Sequence, residues 1–324
     1  MVQEGLDQLR IGVLLCGEDG REVFRNQRLS SLVGDLHVDV LVARAAEEML
    51  IATLSSGARE EILELRGPPA RSIKLAAARL QSGGAIAYVE DASERSQLDA
   101  VRRDFVANVN HELRTPVGAL GLLADALGEE RDPAVVERLA NRIAVEADRA
   151  RLLIEDLLDF SKVETNDGAI VEPIIVASTV DGARERVLAL ADRVGVSVSV
   201  GPIDPALVVE GDREQLLSAV ANLLDNALKY SEPGGPDVTV AVEGTPSTID
   251  IIVSDRGIGI PSRDLDRIFE RFYRVDRART RRTGGTGLGL AIVRHVASNH
   301  GGDVTVTSTE GVGTTMTLRL PRFN

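Results

Sequence analysis

Four groups of residues in this sequence have the types and spacing to do chemistry. The first centres on His111, in DFVANVNHELRTPVGAL. At about 100° per residue along a helix, His111 lies two steps from both Val109 and Leu113 and so points away from the apolar stripe they share. An imidazole with a pKa near ~6.5 is largely neutral in a neutral solution and can act as a nucleophile. Glu112 stands beside it and can orient the ring or accept its proton. Thr115 is four residues on, hence on the same face. Pro116 removes the amide that would bond the Glu112 carbonyl, so a bend is expected beside the histidine. Alone, these letters equally fit an exposed histidine next to a tolerated proline.

The second group is NLLDNALKYS, residues 222–231, on an apolar helix. Asn222 and Asn226 are one turn apart, which puts their amide oxygens on one face. Such oxygens suit a Mg²⁺ ion that is also held by nucleotide phosphates. Lys229 can reach a phosphate as a point charge, and Tyr230 can pack on a base; an ordinary core or capping asparagine pair is the other reading. The third is DRGIGIP, residues 255–261, directly after the strand-like IDIIVS. Gly257 and Gly259 let the backbone pass close to a ligand. A buried Asp255 carboxylate accepts a bond from the amino group of adenine and repels the carbonyl of guanine, so it selects the base as well as binding it. A strand-ending turn predicts the same letters.

The fourth group is GGTGLGL, residues 284–290, opening an apolar helix. Amides left unpaired at a helix N-terminus, bared by Gly285, Gly287, Leu288 and Gly289, make a phosphate site; a flexible linker is the bland alternative. Between the third and fourth groups lie seven arginines from Arg267 to Arg282. A mobile lid whose cations meet phosphates is expected there, with a solvated basic loop as the other reading.

These groups need elements to position them. Leu98, Val101, Phe105, Val109, Leu113, Val117 and Leu120 recur in steps of three or four, the stripe of a long amphipathic helix. It ends near Gly128 at the polar turn GEERDP, and Pro133 starts a second helix. That helix carries Val136, Leu139, Ile143, Ala147, Ala150, Leu153, Leu157 and Phe160, with Arg, Glu and Asp on flanks that read as solvated. A hairpin with one apolar seam wants a partner, and a pair of hairpins forming a four-helix bundle buries it economically. Beyond a linker at 165–168, a helix is expected near 178–194, strands near 196–200 and 206–210, and a helix at 213–230. Strands near 237–243 and 249–254, a helix at 288–299 and strands at 303–308 and 313–320 complete one mixed sheet covered by helices. Ahead of the hairpin, residues 11–90 read as two strands, short helices and three more strands, a small α+β domain.

In this order and spacing the motifs resemble the two-part catalytic core of sensor histidine kinases over residues 93–324. HELRTP matches the phosphoacceptor box, NLLDNALKYS the asparagine box, DRGIGIP the first glycine box, FERFYR the phenylalanine box and GGTGLGL the second glycine box; GVGTT at 311–315 matches the sheet-ending turn. DFVANVNHELRTPVGAL is most similar to the phosphate-regulon class, departing from it at Asn110, where that family usually has Ser. Residues 1–92 resemble a PAS sensor domain in element order and in the exit phrase VEDASER. The fold implied is multidomain α+β: a PAS-like domain at 1–92, a dimerisation and phosphotransfer hairpin at 93–165 and a catalytic α/β sandwich at 166–324. The resemblance further implies that Mg-ATP phosphorylates His111, and that an aspartate of a response-regulator receiver domain takes the phosphoryl group. Thr115 would position water for a phosphatase reaction on that regulator.

Two competing readings are of other classes. An ATP-driven clamp of the gyrase and heat-shock chaperone type needs a general-base Glu at the start of the asparagine box, where this chain has Asn222. A non-catalytic dimeric scaffold would have no use for intact boxes.

A net charge of −13 argues against nucleic acid or anionic membrane as the main partner. Aromatic residues are 3% of the chain and Trp is absent, so Leu, Val, Ile and Ala must fill the interior. Cys16 reads as a small core residue of a reducing compartment. Neither a signal peptide nor an apolar run of membrane length is evident, so a cytoplasmic homodimer is expected, with membrane attachment only through a segment absent from this chain. His37, a conceivable haem ligand, and His295 and His300 read as packing or helix-end residues.

Overall fold

The structure, a computed structural model, describes residues 2–32, 37–65, 70–81, 83–165, 170–275 and 285–323. It divides into two compact units, Met1–Ala107 and Asn108–Asn324.

The first unit contains α1 (Val2–Asp7), β1 (Gly12–Cys16), β2 (Glu22–Arg25), α2 (Gln27–Leu32), α3 (His37–Ser56), β3 (Arg59–Leu65), β4 (Arg71–Arg79) and β5 (Ala85–Asp91), with the start of α4 (Ser93–Glu129). Its strands form one antiparallel sheet in the order β2-β1-β5-β4-β3. The two strands first in sequence therefore pair as a hairpin, and the chain crosses by α2 and α3 to the far edge before returning to the middle. Leu14, Leu75, Ala87 and Val89 of the sheet pack with Val42, Ala46 and Leu50 of α3. Small side chains close this core without aromatic residues, which is how a Leu/Val/Ala-rich sequence reaches interior density. The edge strand β3 is outlined by Glu60, Glu61 and Glu64, and such charges discourage pairing with another sheet.

Asn26 is fully buried, yet all its hydrogen-bonding capacity is used. Its Oδ1 accepts from the amides of Val13 (2.8 Å) and Leu29 (2.9 Å), and its Nδ2 donates to the carbonyls of Leu6 (2.9 Å) and Ile11 (3.0 Å). One amide thus ties α1, β1 and α2 together. Cys16 is buried, as expected of a core residue. The side chain of His37 lies outside the described residues.

The second unit begins within α4, which stays helical through Pro116. The turn that follows is tied by Glu130, whose Oε1 accepts from the amides of Arg131 (2.7 Å) and Asp132 (3.0 Å). The Asp132 carboxylate accepts from Ala134 at 2.9 Å and caps α5 (Pro133–Thr165), with proline in the first helical position where its missing N–H is harmless.

Next come β6 (Val171–Ile175), α6 (Val176–Val194), β7 (Val198–Val200), β8 (Val208–Asp212), α7 (Arg213–Tyr230), β9 (Val238–Gly244), β10 (Thr248–Asp255), α8 (Gly289–Asn299), β11 (Asp303–Thr309) and β12 (Gly313–Pro321). The main sheet runs β11-β12-β10-β9-β7 and is mixed, because β7 lies parallel to β9 while the other pairs are antiparallel. Val220, Leu223 and Leu224 of α7 and Ile292, Val293 and Val296 of α8 are buried with Ile249, Ile251 and Val253 of β10.

The single sheet expected from the sequence is corrected in one respect. The strand at 208–212 leaves the main sheet and pairs with β6 in a separate two-stranded sheet. Pro173 and the polar VEP start made residues 171–175 unlike a strand, and only pairing with β8 brings the strand about. Asp212 then caps α7 through the Gln215 amide (2.9 Å), and its own amide donates to His300 Nε2 (3.0 Å). His300 Nδ1 meets the Val296 carbonyl at 2.7 Å, so the ring closes the end of α8.

The C-terminal half of α5 packs on this sandwich. Leu153, Phe160 and Val163 are buried, Phe160 meets His295 edge to face, and Asn299 Nδ2 donates to the Val163 carbonyl at 2.9 Å. No helix among the described residues is long and apolar enough to cross a membrane.

Candidate nucleotide and phosphoacceptor site

A cavity of about 370 Å³, within the size range of small-molecule sites, opens between α7, the end of β10, the start of α8 and the inner face of α5. Asn222, Asn226, Lys229, Tyr230, Asp255, Gly259, Gly285, Gly287 and Gly289 all line it. Residues from three separate motifs therefore converge on one space.

Asp255 ends β10, opposite Thr314 of β12. Its Oδ1 accepts from the amides of Gly257 (2.8 Å) and Thr314 (3.3 Å), which orients the carboxylate and leaves Oδ2 for a donor in the cavity. Burial pushes its carboxyl above the ordinary aspartate value, and those two amide bonds oppose the shift. Gly257 has to be glycine for steric reasons: a methyl group there would sit 2.2 Å from the Tyr230 carbonyl oxygen. The Ile258 amide donates to that carbonyl at 3.2 Å, so the glycine turn is clamped to the end of α7.

Asn222 Nδ2 donates to the Ser218 carbonyl and Asn226 Nδ2 to the Asn222 carbonyl, each at 3.0 Å. With both amino groups engaged on their own helix, the two Oδ1 atoms remain as acceptors. A methyl group on Gly289 would lie 2.8 Å from Asn222 Oδ1, so the asparagine stands against the first residue of α8. Uncharged oxygen donors beside a helix N-terminus fit Mg²⁺, which keeps part of its water and can share oxygens with a phosphate. Lys229 reaches Asp225 at 2.6 Å, so its ammonium sits in the cavity wall as half of an ion pair.

At the start of α8, Leu288 is fully buried and anchors the glycine loop. Gly287 has φ +77°, and its carbonyl accepts from the Phe272 amide at 2.8 Å. Phe272 has φ +62°, a left-handed backbone in a non-glycine residue, so the phenylalanine box and the second glycine box are held face to face. Gly284 and residues 276–283 lie outside the described residues, and with them four of the arginines of the expected lid. The other three have particular partners: Arg267 pairs with Glu270 (3.3 Å), Arg271 with Glu164 (3.0 Å) and Arg274 with Glu112 (3.1 Å).

His111 is exposed on α4, as its helical phase predicts. Thr115 Oγ1 donates to the His111 carbonyl at 3.3 Å, and Glu112 is partly buried beneath Arg274.

Two features of the site had no signal in the sequence. Leu152, Asp156 and Asp159 of α5 line the cavity although the acidic flank of that helix reads as solvated. Asp156 Oδ2 accepts from the Thr286 hydroxyl at 2.5 Å, and burial pushes its carboxyl up, against the opposing effects of Thr286 and Lys229. Nothing in a pattern of Arg, Glu and Asp distinguishes the one carboxylate that packing turns inward.

Residues 101–166 match the family model of the His Kinase A (phospho-acceptor) domain, and residues 211–324 that of the histidine kinase-, DNA gyrase B- and HSP90-like ATPase. The chain is 44% identical over 241 residues to the sensor-like histidine kinase SenX3 of Mycolicibacterium smegmatis, covering 74% of this chain and 62% of the relative. To the sensor histidine kinase WalK of Bacillus subtilis it is 38% identical over 245 residues, covering 74% of this chain and 39% of that one. The chain thus matches about three-fifths or less of the length of these curated relatives. Among solved structures, histidine kinase ThkA in complex with response regulator protein TrrA shares the fold, with a TM-score of 0.58 over 96% of both chains at 17% identity. The first match spans the helix bearing His111, the second spans Asn222, Asn226, Asp255 and the glycine loop, and the chain belongs to the sensor histidine kinases of two-component systems.

Proposed function

We propose that this protein transfers the γ-phosphoryl group of ATP to His111 and then to an aspartate of a response-regulator receiver domain. The observation that carries this reading is the cavity in which Asp255, Asn222, Asn226 and the N-terminus of α8 converge, in the same compact unit as the helix bearing His111. Asp255 Oδ2 accepts the adenine amino group. The amides of Gly287 and Gly289 and the dipole of α8 hold the phosphates, while the Leu288 amide donates to Thr286 Oγ1 at 3.3 Å and fixes the loop. Mg²⁺ bound to the Oδ1 atoms of Asn222 and Asn226 would neutralise phosphate charge. An imidazole nitrogen of His111 attacks the γ-phosphorus in line, the bond to the bridging oxygen breaks, and ADP leaves with that electron pair. Glu112 takes the ring proton. Positioning and charge neutralisation account for most of the rate, as in other phosphoryl transfers.

The finer assignments rest on further features. Val117, Leu122 and Val145 are more than half exposed along the hairpin, and a second copy in a homodimeric bundle would cover Val117 of the apolar seam. The strand order β2-β1-β5-β4-β3 supports a PAS-like sensor domain over residues 1–92, ahead of a hairpin at 93–165 and a catalytic domain at 166–324. The receiver-domain partner draws support from ThkA, whose structure holds a response regulator. Thr115, one turn from His111, positions water for removal of phosphate from the regulator. The working location is the cytoplasm.

Incubation with Mg-[γ-³²P]ATP tests the reading. Label that is stable to alkali, labile to acid and lost in His111→Gln supports it. Tight nucleotide binding with no labelling under any condition would favour a clamp or scaffold.

A further inference from the structure

Arg274 is the most constrained cation in the site. Its side chain is 8% exposed, it lines the nucleotide cavity, and its Nη2 donates to Glu112 Oε2 at 3.1 Å. Its Nε is buried and has no hydrogen-bond partner among the described residues. An unmatched buried donor on a charged group is costly. Burial, with Arg149 adding repulsion, pushes this guanidinium below its ordinary value, and Glu112 only partly compensates. One carboxylate therefore under-satisfies a cation built to make several parallel bonds, and a tetrahedral phosphate would serve it better.

The consequence for Glu112 is equally direct. While Arg274 holds Oε2, this carboxylate is committed to the cavity wall and not to the imidazole of its neighbour His111. The geometry points to Arg274 as an exchange residue: it holds Glu112 until a nucleoside triphosphate enters, then moves to the terminal phosphate and releases Glu112 to take the His111 proton. Arg274 is thus a positioning residue that makes the base available only when there is a phosphoryl group to transfer. This inference rests on the nucleotide reading of the cavity.

Binding isotherms of the full chain with Mg-AMP-PNP and Mg-ADP separate the two ideas. Arg274→Gln should weaken AMP-PNP about tenfold and ADP less than about threefold, since only the triphosphate carries the exchanged group. Arg274→Lys should recover part of that loss through charge alone. Glu112→Gln should tighten AMP-PNP by roughly threefold, because it removes the competing anion, and should have no such effect when combined with Arg274→Gln. Equal weakening of both nucleotides in Arg274→Gln, or unchanged or weaker AMP-PNP binding in Glu112→Gln, overturns the exchange while leaving the nucleotide site intact. Failure of the unmodified protein to bind either nucleotide would remove the nucleotide reading itself, and the exchange with it.

Discussion

Asn26 in the first unit and Asp255 in the second are both polar side chains withdrawn from water, and their surroundings treat them differently. Every donor and acceptor of Asn26 is engaged by backbone of α1, β1 and α2. Asp255 is held by two amides on one oxygen, while the other faces a cavity. A buried polar group whose bonds are completed within the fold is part of the scaffold. One that is oriented firmly but left with a free atom toward a cavity is prepared for something that arrives later. Arg274, with its buried Nε, belongs with Asp255 in this respect.

The contrast predicts separable effects. Asn26→Leu takes the partner from the amides of Val13 and Leu29 and the carbonyl of Ile11, while the Leu6 carbonyl keeps the Leu9 amide; at about 1 kcal/mol for each of the three it should cost the first unit roughly 3 kcal/mol. Chemical denaturation measures this; nucleotide affinity should not change, and a drop in affinity would break the comparison. Asp255→Asn should do the reverse. The new amino group meets the adenine amino group donor to donor, so affinity for Mg-ADP should fall by at least about thirtyfold, close to 2 kcal/mol.

The same Asp255→Asn variant sharpens the comparison through pH. A carboxyl whose folded value is raised destabilises the fold once it ionises, and not below its unfolded value of about 3.9. Asn has no such charge to bury. The variant should therefore melt higher than the unmodified protein at pH 7, with the gain shrinking as pH falls and vanishing below about 3.9. Asp156→Asn should follow the same sign, because Asp156 is also raised by burial. A gain that grew toward acid pH would contradict the assignment. The smallest effect is expected for the bidentate surface pair Arg319–Asp250, with distances of 2.8 and 2.6 Å. Arg319→Ala should leave the denaturation midpoint almost unchanged, since exposed ion pairs are screened and cost side-chain entropy.

Much of the second unit was legible because its motifs are local. Asp255 and its glycines fall within one turn, Asn222 and Asn226 within one helical step, and Pro133 and Asp132 announce a helix start. Helix α7 begins at Arg213 and ends at Tyr230, as its periodicity predicts. What escaped depended on distant pairings. Strand β6 exists because β8 is there to pair with, and its own sequence, with Pro173 inside, does not favour it. Asp156 looked like its neighbours Asp148 and Glu155, which stay in surface pairs with Arg151. Asn26 gave no sign that it would bind α1, because its partners are backbone groups far along the chain.

By itself, the sequence determined the amphipathic hairpin, the phase that exposes His111, the motifs whose residues line the cavity and the family they spell. Each of these follows from side-chain chemistry repeated at helical, strand or turn spacing. Tertiary structure alone decided which oxygen of Asp255 stays free, that Asp156 turns inward to Thr286, and that among the described arginines of the phenylalanine box it is Arg274 that takes hold of Glu112. Those outcomes depend on burial and on partners far apart in the chain, and neither is encoded in local spacing.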